Sequence, residues 1–384
     1  MSGNLTERLI FEAEWFDKVS SMLKKFYLYY FPADNTIELY DIKTKKTFLR
    51  RTKCEGIEAR NLYVGSMVTI FSRAMKITDV ADTITRNKIA SRTQKTFAMI
   101  KPDAMEKMGE ILKFITNHDF HINNIEMVKL SEDDVEFLYS NRADQELREL
   151  KKHLTSARLL VLELLGENGT ERFRQLIGPT DSKVARSEAP ASLRACYGED
   201  SIKNTVHGSA TQEQADQELD YFFPEPKSKR KGLDDTATLK YCTCCVIKPH
   251  AVQARLAGQI IDSIQKSGFR ITAIQQFVVE PVNAEEFLEV YKGVLPEYSA
   301  MVAELQSGPC IAMEITHVNE ELDVPTEFRK ICGPMDPDIA RQVRPETLRA
   351  KYGKTKVQNA VHCSDLPEDG LLEVEYFFKI LSER

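Results

Sequence analysis

The segment QLIGPTDSKVARSEAPASLRACYGEDSIKNTVHGS at residues 175–209 returns as KICGPMDPDIARQVRPETLRAKYGKTKVQNAVHCS at residues 330–364. His207 and His362 stand 155 positions apart, and arginines, an asparagine and a glutamate around them return at the same spacing. A repeat of apolar residues alone would indicate a repeated core. Because charged and polar residues return in the same order, the sequence predicts a repeated chemical site.

The composition indicates a globular chain of several domains. It has 384 residues, of which 42% are hydrophobic and 29% charged, and a formal net charge of −6. This length predicts two or three domains, each with its own core. Apolar runs are too short for a membrane span and the start, MSGNLTERLI, lacks a signal-peptide core, so neither a membrane partner nor secretion is expected. The mildly acidic charge also argues against nucleic acid as the main partner.

The eight cysteines follow no disulfide spacing and have apolar neighbours, which predicts buried, reduced thiols. Cys242, Cys244 and Cys245 raise zinc binding as an alternative. Their places on a predicted buried strand, where alternate residues point to opposite faces, favour a core role.

Three segments and a linker emerge along the chain. Residues 1–91 match neither repeat and alternate aromatic and β-branched runs with turn signals, which predicts a small, mostly β module. The repeats occupy residues 92–223 and 239–384. The charged, proline-containing stretch 224–238 is predicted to be a linker, and its basic cluster at 227–231 leaves a localisation signal or a binding patch open.

Each repeat has the same predicted order of elements. A strand, a helix and a second strand are followed by a helical region, a buried strand, a helix ending at Gly178 or Gly333, a short strand before the histidine and a last helix. This alternation predicts the α/β class, an α+β sandwich with helices on one face of a sheet. The ferredoxin-like β-α-β-β-α-β arrangement is the simplest match.

The repeated polar residues suit an anionic ligand. Neither of the common glycine-rich phosphate-binding motifs is present, so phosphate would have to be held by side chains. Each repeat supplies a lysine after its first strand and two arginines, whose planar forks bind phosphate oxygens in pairs. These cations are Lys101, Arg174 and Arg194 in the first repeat and Lys248, Arg329 and Arg349 in the second.

A histidine accompanies the cations in both repeats. His207 and His362 can act as nucleophiles at neutral pH, and each has a glutamate eleven residues later, Glu218 or Glu373, that can orient the ring. Cations, nucleophile and orienting carboxylate together predict phosphoryl transfer through a covalent phosphohistidine.

These motifs resemble the active-site signature of the nucleoside diphosphate kinase family. The resemblance rests on Lys-Pro-Asp after the first strand, on Asn-x-x-His-Gly-Ser at 204–209 and on Glu218, and it extends over both repeats. It implies two ferredoxin-like kinase domains after the small β module. It also implies that His207, favoured over His362, carries the γ-phosphoryl group of a nucleoside triphosphate to a diphosphate.

The resemblance assigns roles to further residues. Those expected to hold phosphates or sugar are Lys101, Tyr139, Arg174, Thr180, Arg194 and Asn204, and in the second repeat Lys248, Tyr291, Arg329, Arg349 and Asn359. Those expected to fix the histidine rings are Ser209, Glu218, Ser364 and Glu373. Mg²⁺ is the implied cofactor, held mainly by the nucleotide phosphates rather than by a metal site of the protein.

Several positions depart from the family pattern. Met335 stands where the first repeat has Thr180, and Cys363 replaces the glycine after the histidine. The aromatic residue that usually stacks on the base is missing from 140–150, where Leu147 is the nearest candidate, whereas the second repeat has Tyr298 near that place. The other histidines show no metal-ligand spacing and are expected to be incidental; they are His118, His121, His153, His250 and His317.

The N-terminal module suggests a second role. A β-rich module followed by two kinase-like repeats is similar to a branch of the family found in cilia. This resemblance implies tubulin, other axonemal microtubule proteins or the γ-tubulin complex as partners. The implied location is the cytoplasm and cytoskeleton, in the axoneme of a cilium or flagellum or at the centrosome. The alternative to an enzyme is a microtubule-associated scaffold with little or no turnover.

Overall fold

The computed structural model describes residues 8–17, 20, 22–54, 56–59, 62–64, 66–71, 73–90, 94–224 and 236–382. The basic cluster at 227–231 lies outside these residues. Among the described helices, none is long and apolar enough to cross a membrane.

An antiparallel sheet of six strands forms the N-terminal module. Its strands are β1 (Leu9–Asp17), β2 (Met22–Phe31), β3 (Thr36–Asp41), β4 (Lys46–Lys53), β5 (Met67–Ile70) and β6 (Arg73–Val80), followed by helix α1 (Thr83–Ala90). The strand order is β4-β3-β2-β1-β6-β5, so β4 and β5 are the edges. In β2, Phe26, Leu28 and Tyr30 are fully buried while the residues between them are half-buried. This period of two places one face of the sheet on the module's core.

The first repeat contains four strands, a 3-10 turn and seven helices within its described residues. They are β7 (Gln94–Ile100), the turn Pro102–Lys107, α2 (Met108–Asn117), β8 (His121–Val128), α3 (Glu132–Tyr139), α4 (Asp144–Leu154), β9 (Leu159–Gly166), α5 (Gly169–Ile177), α6 (Ser182–Glu188), α7 (Leu193–Tyr197), β10 (Val206–Gly208) and α8 (Gln212–Phe222).

The second repeat follows the same order. Its elements are β11 (Thr243–Ile247), α9 (Pro249–Gln253), α10 (Ala257–Lys266), β12 (Phe269–Phe277), α11 (Pro281–Phe287), the 3-10 turn Glu289–Tyr291, α12 (Tyr298–Leu305), β13 (Cys310–His317), α13 (Val324–Cys332), α14 (Pro337–Val343), α15 (Leu348–Tyr352), β14 (Val361–Cys363), α16 (Asp369–Glu375) and the π-helical turn Tyr376–Leu381.

Both repeats have the predicted ferredoxin-like sheet. The first is ordered β10-β7-β9-β8 and the second β14-β11-β13-β12, which in both cases places the fourth strand beside the first and the third beside the second. All of these pairs are antiparallel. The last strand of each sheet contains the repeated histidine, whereas the sequence placed a short strand before it.

Helices cover both faces of the sheet, so the prediction of helices on one face was wrong. In the first repeat, Leu160 and Leu162 of β9 pack against α2 and α5 on one face. Leu159 and Val161 of the same strand pack against α3, α4 and α8 on the other. All eight residues of β9 are buried. A strand that is apolar at every position but Glu163 is typical of a sheet covered on both faces, and this signal was present in the sequence.

The two repeats share a continuous sheet of eight strands. Strand β8 pairs with β12 through Glu126 and Gln275, and helices α2 and α10 cross on one face. Where the helices cross, a Cβ on Gly109 would lie 2.2 Å from the backbone nitrogen of Asp262, and a Cβ on Gly258 would lie 2.5 Å from that of Lys113. The glycines therefore allow the backbones to approach more closely than any side chain would permit.

Candidate functional site

The backbone brings Lys101 and His207 together although they are far apart in sequence. His207 lies on β10 opposite Met99 of β7, and Lys101 follows the end of β7. The Lys101 N–H donates to the carbonyl of Thr205 at 2.8 Å. Thr205 has a positive φ of 73°, and Ala360, at the same position in the second repeat, has a φ of 70°. Both repeats therefore hold a left-handed residue two positions before the histidine, where a residue with a Cβ is strained.

A carboxylate orients the His207 ring. Nε2 of His207 lies 3.0 Å from Oε1 of Glu218 on α8, and the Ser209 hydroxyl donates to the other oxygen of that carboxylate. Gln214 adds a bond of 2.7 Å to Oε1. Burial disfavours the charged carboxylate, but the charge of His207 and these three hydrogen bonds outweigh burial and lower the pKa of Glu218.

This contact determines which nitrogen of His207 can react. A carboxylate only accepts hydrogen bonds, so in the neutral ring Nε2 carries the hydrogen and Nδ1 keeps its lone pair. The edges of the Phe97 and Tyr139 rings approach the imidazole, with centroids 5.9 and 5.2 Å away. The ring is thus held in one orientation with Nδ1 available as a nucleophile.

Two of the predicted cations lie deep in the site. Lys101 is 2% exposed and its Nζ donates to the carbonyl of Ile202 at 2.9 Å. Burial, followed by the nearby charge of Arg194, lowers the pKa of Lys101 to about 7. Arg194 donates to the carbonyls of Gly178 and Val206, and burial lowers its pKa to about 10. An anion placed here would restore the charged form of the lysine.

A cleft of about 1130 Å³ opens beside His207. The residues predicted to hold phosphate or sugar in the first repeat all line it, namely Lys101, Tyr139, Arg174, Thr180, Arg194 and Asn204. Arg174 reaches in from α5 and is exposed, with Nη1 donating to the Ala210 carbonyl at 3.0 Å. The fold therefore brings the predicted set to one cavity.

Two buried polar atoms in this cleft have no hydrogen-bond partner among the described residues. They are the hydroxyl of Tyr139 and Oδ1 of Asn204. The Asn204 amide itself is held by the carbonyls of Thr180 and Ser201 at 2.8 and 3.0 Å. A buried donor and a buried acceptor left unpaired cost free energy, which a ligand with a phosphate oxygen and a hydroxyl group could recover.

The second site repeats the histidine, its carboxylate and its serine. His362 Nε2 lies 2.8 Å from Glu373 Oε2, and Ser364 donates to the same oxygen at 2.8 Å. Burial disfavours the imidazolium, but the charge of Glu373 and its hydrogen bond outweigh burial and raise the pKa of His362. Lys248 is again buried, and burial followed by the charge of Arg349 lowers its pKa to about 7.

Some predicted residues of the second site are placed differently. Tyr139 ends helix α3, whereas Tyr291 lies in the turn after α11 and donates to Oδ2 of Asp365 at 2.5 Å. Arg329 also contacts Asp365. Asn359 keeps its counterpart's geometry, with its amide donating to the Met335 carbonyl at 3.0 Å and its Oδ1 buried without a partner among the described residues.

The residue directly after the repeated histidine is Gly208 in the first repeat and Cys363 in the second. At Gly208 of the first repeat, an added Cβ would lie 2.8 Å from the Phe173 ring and 3.1 Å from Ile177. The second repeat has Cys363 there, and a smaller side chain, Cys332, where the first has Ile177. A hydrogen bond between the two thiols, with a further contribution from Arg349, lowers the pKa of Cys363 to about 6.

The sequence missed residues that hold the turn before each histidine. His153 and His250 were expected to be incidental, and this was wrong. In the first repeat His153 Nε2 lies 2.8 Å from Asp103, whose other oxygen accepts from the Thr205 N–H. In the second, His250 accepts from the Ala360 N–H. The visible signal was that Lys-Pro-Asp in one repeat is Lys-Pro-His in the other.

Other expectations also changed. Leu147, the nearest candidate for a base platform, packs partly buried against the core of α3, α4 and α8 instead. Seven of the eight cysteines are buried as predicted, but Cys196 is exposed.

Within the described residues, no three histidine, cysteine or acidic side chains are grouped to hold a metal ion.

Comparisons with known proteins agree with the repeat structure. The family model for nucleoside diphosphate kinase matches residues 94–228 and 241–381. The chain is 47% identical over 380 residues to nucleoside diphosphate kinase homolog 7 of Rattus norvegicus, covering 98% of this chain and 94% of that protein. The protein of the same name from Mus musculus is 45% identical over the same coverage.

Among solved structures, the nucleoside diphosphate kinase of Aquifex aeolicus matches 34% of this chain and 95% of its own at 36% identity, with a TM-score of 0.33. Two matches to one family model span both repeats, and the identity to the rat relative extends over nearly the whole chain. The chain therefore belongs to the nucleoside diphosphate kinase family.

Proposed function

We propose that the first repeat transfers the γ-phosphoryl group of a nucleoside triphosphate to a nucleoside diphosphate through a phosphohistidine at His207. The observation that carries this proposal is the contact of 3.0 Å between His207 Nε2 and Glu218, in a cleft that also contains Lys101, Arg174 and Arg194. A histidine held with Nδ1 free, next to three cations, suits a nucleophile that receives a phosphoryl group.

The reaction has two matched steps. In the first, the lone pair of His207 Nδ1 forms a bond to the γ-phosphorus, and the bond from that phosphorus to the bridging oxygen breaks. The diphosphate leaves with that electron pair on its oxygen. In the second step, a terminal oxygen of another diphosphate attacks the phosphorus and the N–P bond breaks, which returns the electron pair to Nδ1. Throughout, Nε2 keeps its hydrogen and donates it to the Glu218 carboxylate. The negative charge of this carboxylate stabilises the positive charge on the phosphorylated ring.

The cations supply positioning and charge stabilisation. Phosphoryl transfer depends mainly on these two effects, since the protein has little covalent chemistry to perform. Lys101 and Arg194 are buried, where a charge interacts more strongly with a phosphate than it does in water. Arg174 and Thr180 lie in the exposed part of the cleft, whereas Asn204 is buried in it. We therefore place the phosphates that are not transferred toward the first two residues and the sugar toward Asn204.

Mg²⁺ is the cofactor that we propose for this reaction. Four cationic side chains line the cleft beside His207, namely Lys101, Arg142, Arg174 and Arg194. This lining fits a metal carried on the phosphates of the nucleotide. When bound there, Mg²⁺ neutralises part of the phosphate charge. The residues of this chain then orient the phosphates and exclude water around Nδ1.

The test compares the wild type with His207→Ala and His362→Ala after incubation with γ-labelled ATP and Mg²⁺. We expect an acid-labile label that is lost in His207→Ala, and we expect transfer of that label to added diphosphate. His118→Ala serves as the matched control, because His118 is exposed and contacts the Phe114 carbonyl of its own helix. If label on His207→Ala equals that on the wild type, the first repeat is not the phosphorylated site.

A second function is proposed for the N-terminal module, namely attachment of the protein to microtubules. Edge strand β4 and the turn before it contain six basic residues and no acidic one between residues 42 and 53. Lys43, Lys45, Lys46, Arg50 and Lys53 are exposed. An unpaired basic edge suits an acidic polypeptide. Tubulin is the partner that the family resemblance implies.

This second function is tested by sedimentation with microtubules. We expect Lys45→Glu/Lys46→Glu/Arg50→Glu to lose most binding, whereas Lys152→Glu/Lys292→Glu/Lys354→Glu, which reverses the same charge on exposed residues elsewhere, keeps it. Equal loss in both triple variants would show that only net charge matters. Binding that depends on β4 in a protein that takes no label would favour the scaffold over the enzyme.

The proposed attachment to microtubules implies a location for the protein. We place the protein in the cytoplasm on the cytoskeleton, in axonemes or at the centrosome. Imaging of the β4 variant in ciliated cells tests the location. We also propose that 1–91, 92–223 and 239–384 are three domains and that 224–238 is the linker between the last two, which pair through β8 and β12. Limited proteolysis at 224–238 tests the position of this linker.

A further inference from the structure

Gln214 connects the carboxylate of Glu218 to the loop before α8. It lies one turn before Glu218 on that helix, and its Nε2 donates to Oε1 of Glu218 at 2.7 Å. Its own Oε1 accepts from the Ala210 N–H at 3.0 Å. Because a backbone N–H only donates and an ionised carboxylate only accepts, these two bonds fix the direction in which the amide points. Gln214 therefore presents a donor to Glu218.

The bond from Gln214 reaches the oxygen that faces the histidine. Oε1 of Glu218 accepts from the Gln214 amide and lies 3.0 Å from His207 Nε2, whereas the Ser209 hydroxyl donates to Oε2. Both oxygens are thus held, so the carboxylate cannot rotate without losing a bond. Glu218 is 2% exposed, which leaves water little access to replace these donors.

The second repeat has a different group at this position. Asp369 corresponds to Gln214 at the repeat spacing and lies at the start of α16. In that site His362 Nε2 and the Ser364 hydroxyl both contact Oε2 of Glu373. Burial, followed by the charge of Glu373, raises the pKa of Asp369. The same position therefore offers a donor to the carboxylate in the first site and a like charge in the second.

The donor acts on the charge of Glu218. Burial raises the pKa of this carboxyl, but the charge of His207 and hydrogen bonds from His207, Ser209 and Gln214 outweigh burial and lower it. Without the Gln214 bond, Glu218 would gain a proton at a higher pH. A protonated carboxyl can donate to Nε2, which leaves the ring hydrogen on Nδ1 and removes the lone pair that attacks phosphorus. Tyr139 on α3 also interacts with Glu218, and burial raises the pKa of Tyr139, so it stays neutral.

We propose that Gln214 is a positioning residue for phosphoryl transfer, which holds Oε1 of Glu218 against His207 Nε2 and so keeps Nδ1 free to react. This inference rests on the proposed function, since it takes Nδ1 of His207 to be the nucleophile. The alternative is a purely structural role, because the bond to the Ala210 N–H ties the first turn of α8 to the preceding loop. The two roles use opposite ends of the amide.

Two substitutions separate the two ends. Gln214→Lys can donate to Glu218 but cannot accept from the Ala210 N–H, whereas Gln214→Glu can accept from that N–H but places a like charge beside Glu218. Gln217→Gly is the control for stability, because Gln217 is exposed on the same helix and glycine weakens a helix through its backbone alone. All variants are made in the full chain with His362→Ala, so that label reports on the first site.

Rapid quenching with γ-labelled MgATP gives the rate of phosphohistidine formation from about pH 5 to about pH 8, the range in which histidine changes its charge. In Gln214→Glu we expect the acid limb of this profile to move up by about one pH unit, which makes the rate about tenfold lower below the limb. The half-saturating MgATP concentration should stay near that of the parent protein. Gln214→Lys should keep the limb at or below its original position, and Gln217→Gly should leave it in place.

A second measurement does not depend on turnover. In protein labelled with ¹⁵N-histidine, the ring resonances of His207 show which nitrogen carries the hydrogen, and their loss in His207→Ala assigns them. We expect the hydrogen on Nε2 in the parent protein at about pH 6, and a shift of the population toward Nδ1 in Gln214→Glu.

The outcomes separate this inference from the proposed function. If the parent protein takes label and Gln214→Glu keeps its pH profile and its ring hydrogen on Nε2, Gln214 does not position Glu218, although the proposed function stands. Equal shifts of the acid limb in Gln214→Glu and Gln217→Gly would assign the effect to helix stability and also overturn the inference. If the parent protein takes no label at any pH, the proposed function fails, and a ring hydrogen that stays on Nε2 in Gln214→Glu then overturns the inference as well.

Discussion

Asp103 and His250 occupy equivalent positions in the two repeats, and each pairs a carboxylate with a histidine. Asp103 is the acid of its pair, whereas His250 is the histidine of its pair. Asp103 accepts from the Thr205 N–H at 2.9 Å and contacts His153 at 2.8 Å. His250 accepts from the Ala360 N–H at 3.2 Å, and its Nδ1 lies 2.6 Å from Glu304. The acid and the histidine have exchanged positions, while the hydrogen bond to the left-handed residue before each strand that contains the repeated histidine is kept.

This exchange predicts that Asp103→His alone is harmful and that a second change repairs it. Asp103→His places two histidines together and removes a charge-assisted hydrogen bond, so we expect a loss of about 2 kcal/mol in the free energy of unfolding. Asp103→His/His153→Glu recreates the arrangement of the second repeat and should recover at least half of that loss. Urea denaturation measures both variants. His153→Glu alone completes the comparison, and a loss in the double variant equal to the sum of the two single losses would show that the two residues act independently.

Glu218 should control the rate at which His207 is phosphorylated. The carboxylate holds Nε2 and stabilises positive charge on the ring as the N–P bond forms. Losing a charged hydrogen bond of about 1.5–3 kcal/mol predicts that Glu218→Gln forms phosphohistidine about 10- to 100-fold more slowly. Rapid quenching of the reaction with labelled ATP gives the rate. Glu213→Gln, an exposed residue at the start of the same helix, should react as fast as the wild type.

Nucleotide binding should take up protons above pH 7. Burial, followed by Arg194, lowers the pKa of Lys101 to about 7, so at pH 8 most of this lysine is neutral before binding. Phosphate charges raise that pKa, and the lysine then gains a proton. Affinity should therefore fall as the pH rises above 7. Calorimetry at pH 8 in buffers of different ionisation enthalpy measures the uptake, which we expect to decrease in Lys101→Arg and to decrease further in Lys101→Arg/Lys248→Arg.

The same lysines affect the stability of the free protein. Their pKa values in the folded state, about 7 for each, lie below the ordinary value of a lysine in the unfolded chain. The unfolded chain binds more protons between these values, so this contribution to the free energy of unfolding rises with pH from about 7 to about 10. Denaturation of the ligand-free protein across this range measures the trend, and its absence in the double arginine variant would assign it to the lysines.

Gly208 and Ile177 should be energetically coupled. A Cβ at Gly208 would press on Phe173 and Ile177, so Gly208→Cys is expected to lower the free energy of unfolding by about 1–3 kcal/mol. Ile177→Cys alone loses packing. Together they reproduce the Cys363 and Cys332 pair of the second repeat, and the double variant should lose less than the two single variants combined. Strict additivity in denaturation experiments would refute a packing explanation of this difference.

Much of the element order could be predicted because each element has a local signal. The apolar run of β9 and the amphipathic pattern of α2 are present in short windows of sequence. The spacing of His207 and Glu218 also suggested their contact, since a helix that follows a strand can return a side chain to it. The prediction of helices on one face failed because it overlooked the nearly continuous apolar run of β9. Such a run predicts a strand that is buried on both faces of the sheet.

Contacts between segments far apart along the chain had no local sequence signal. The pairing of Asp103 with His153, and of Asp365 with Tyr291, joins residues from separate elements whose approach depends on how the sheet and helices pack. The joining of the two sheets through β8 and β12 likewise depends on the close crossing at Gly109 and Gly258.

The sequence by itself determined that two copies of one polar set exist. Each copy has a histidine, a glutamate and two arginines that return at one constant spacing, and a lysine after the first strand, because residue identity and order are written in the chain. Only the tertiary structure decided that these residues share a cleft, that His153 and His250 support the turn before each histidine, and that Asp365 contacts Tyr291 and Arg329. The reason is physical. Hydrogen bonds and ion pairs depend on distances of a few ångströms, and those distances are set by packing between segments far apart along the chain.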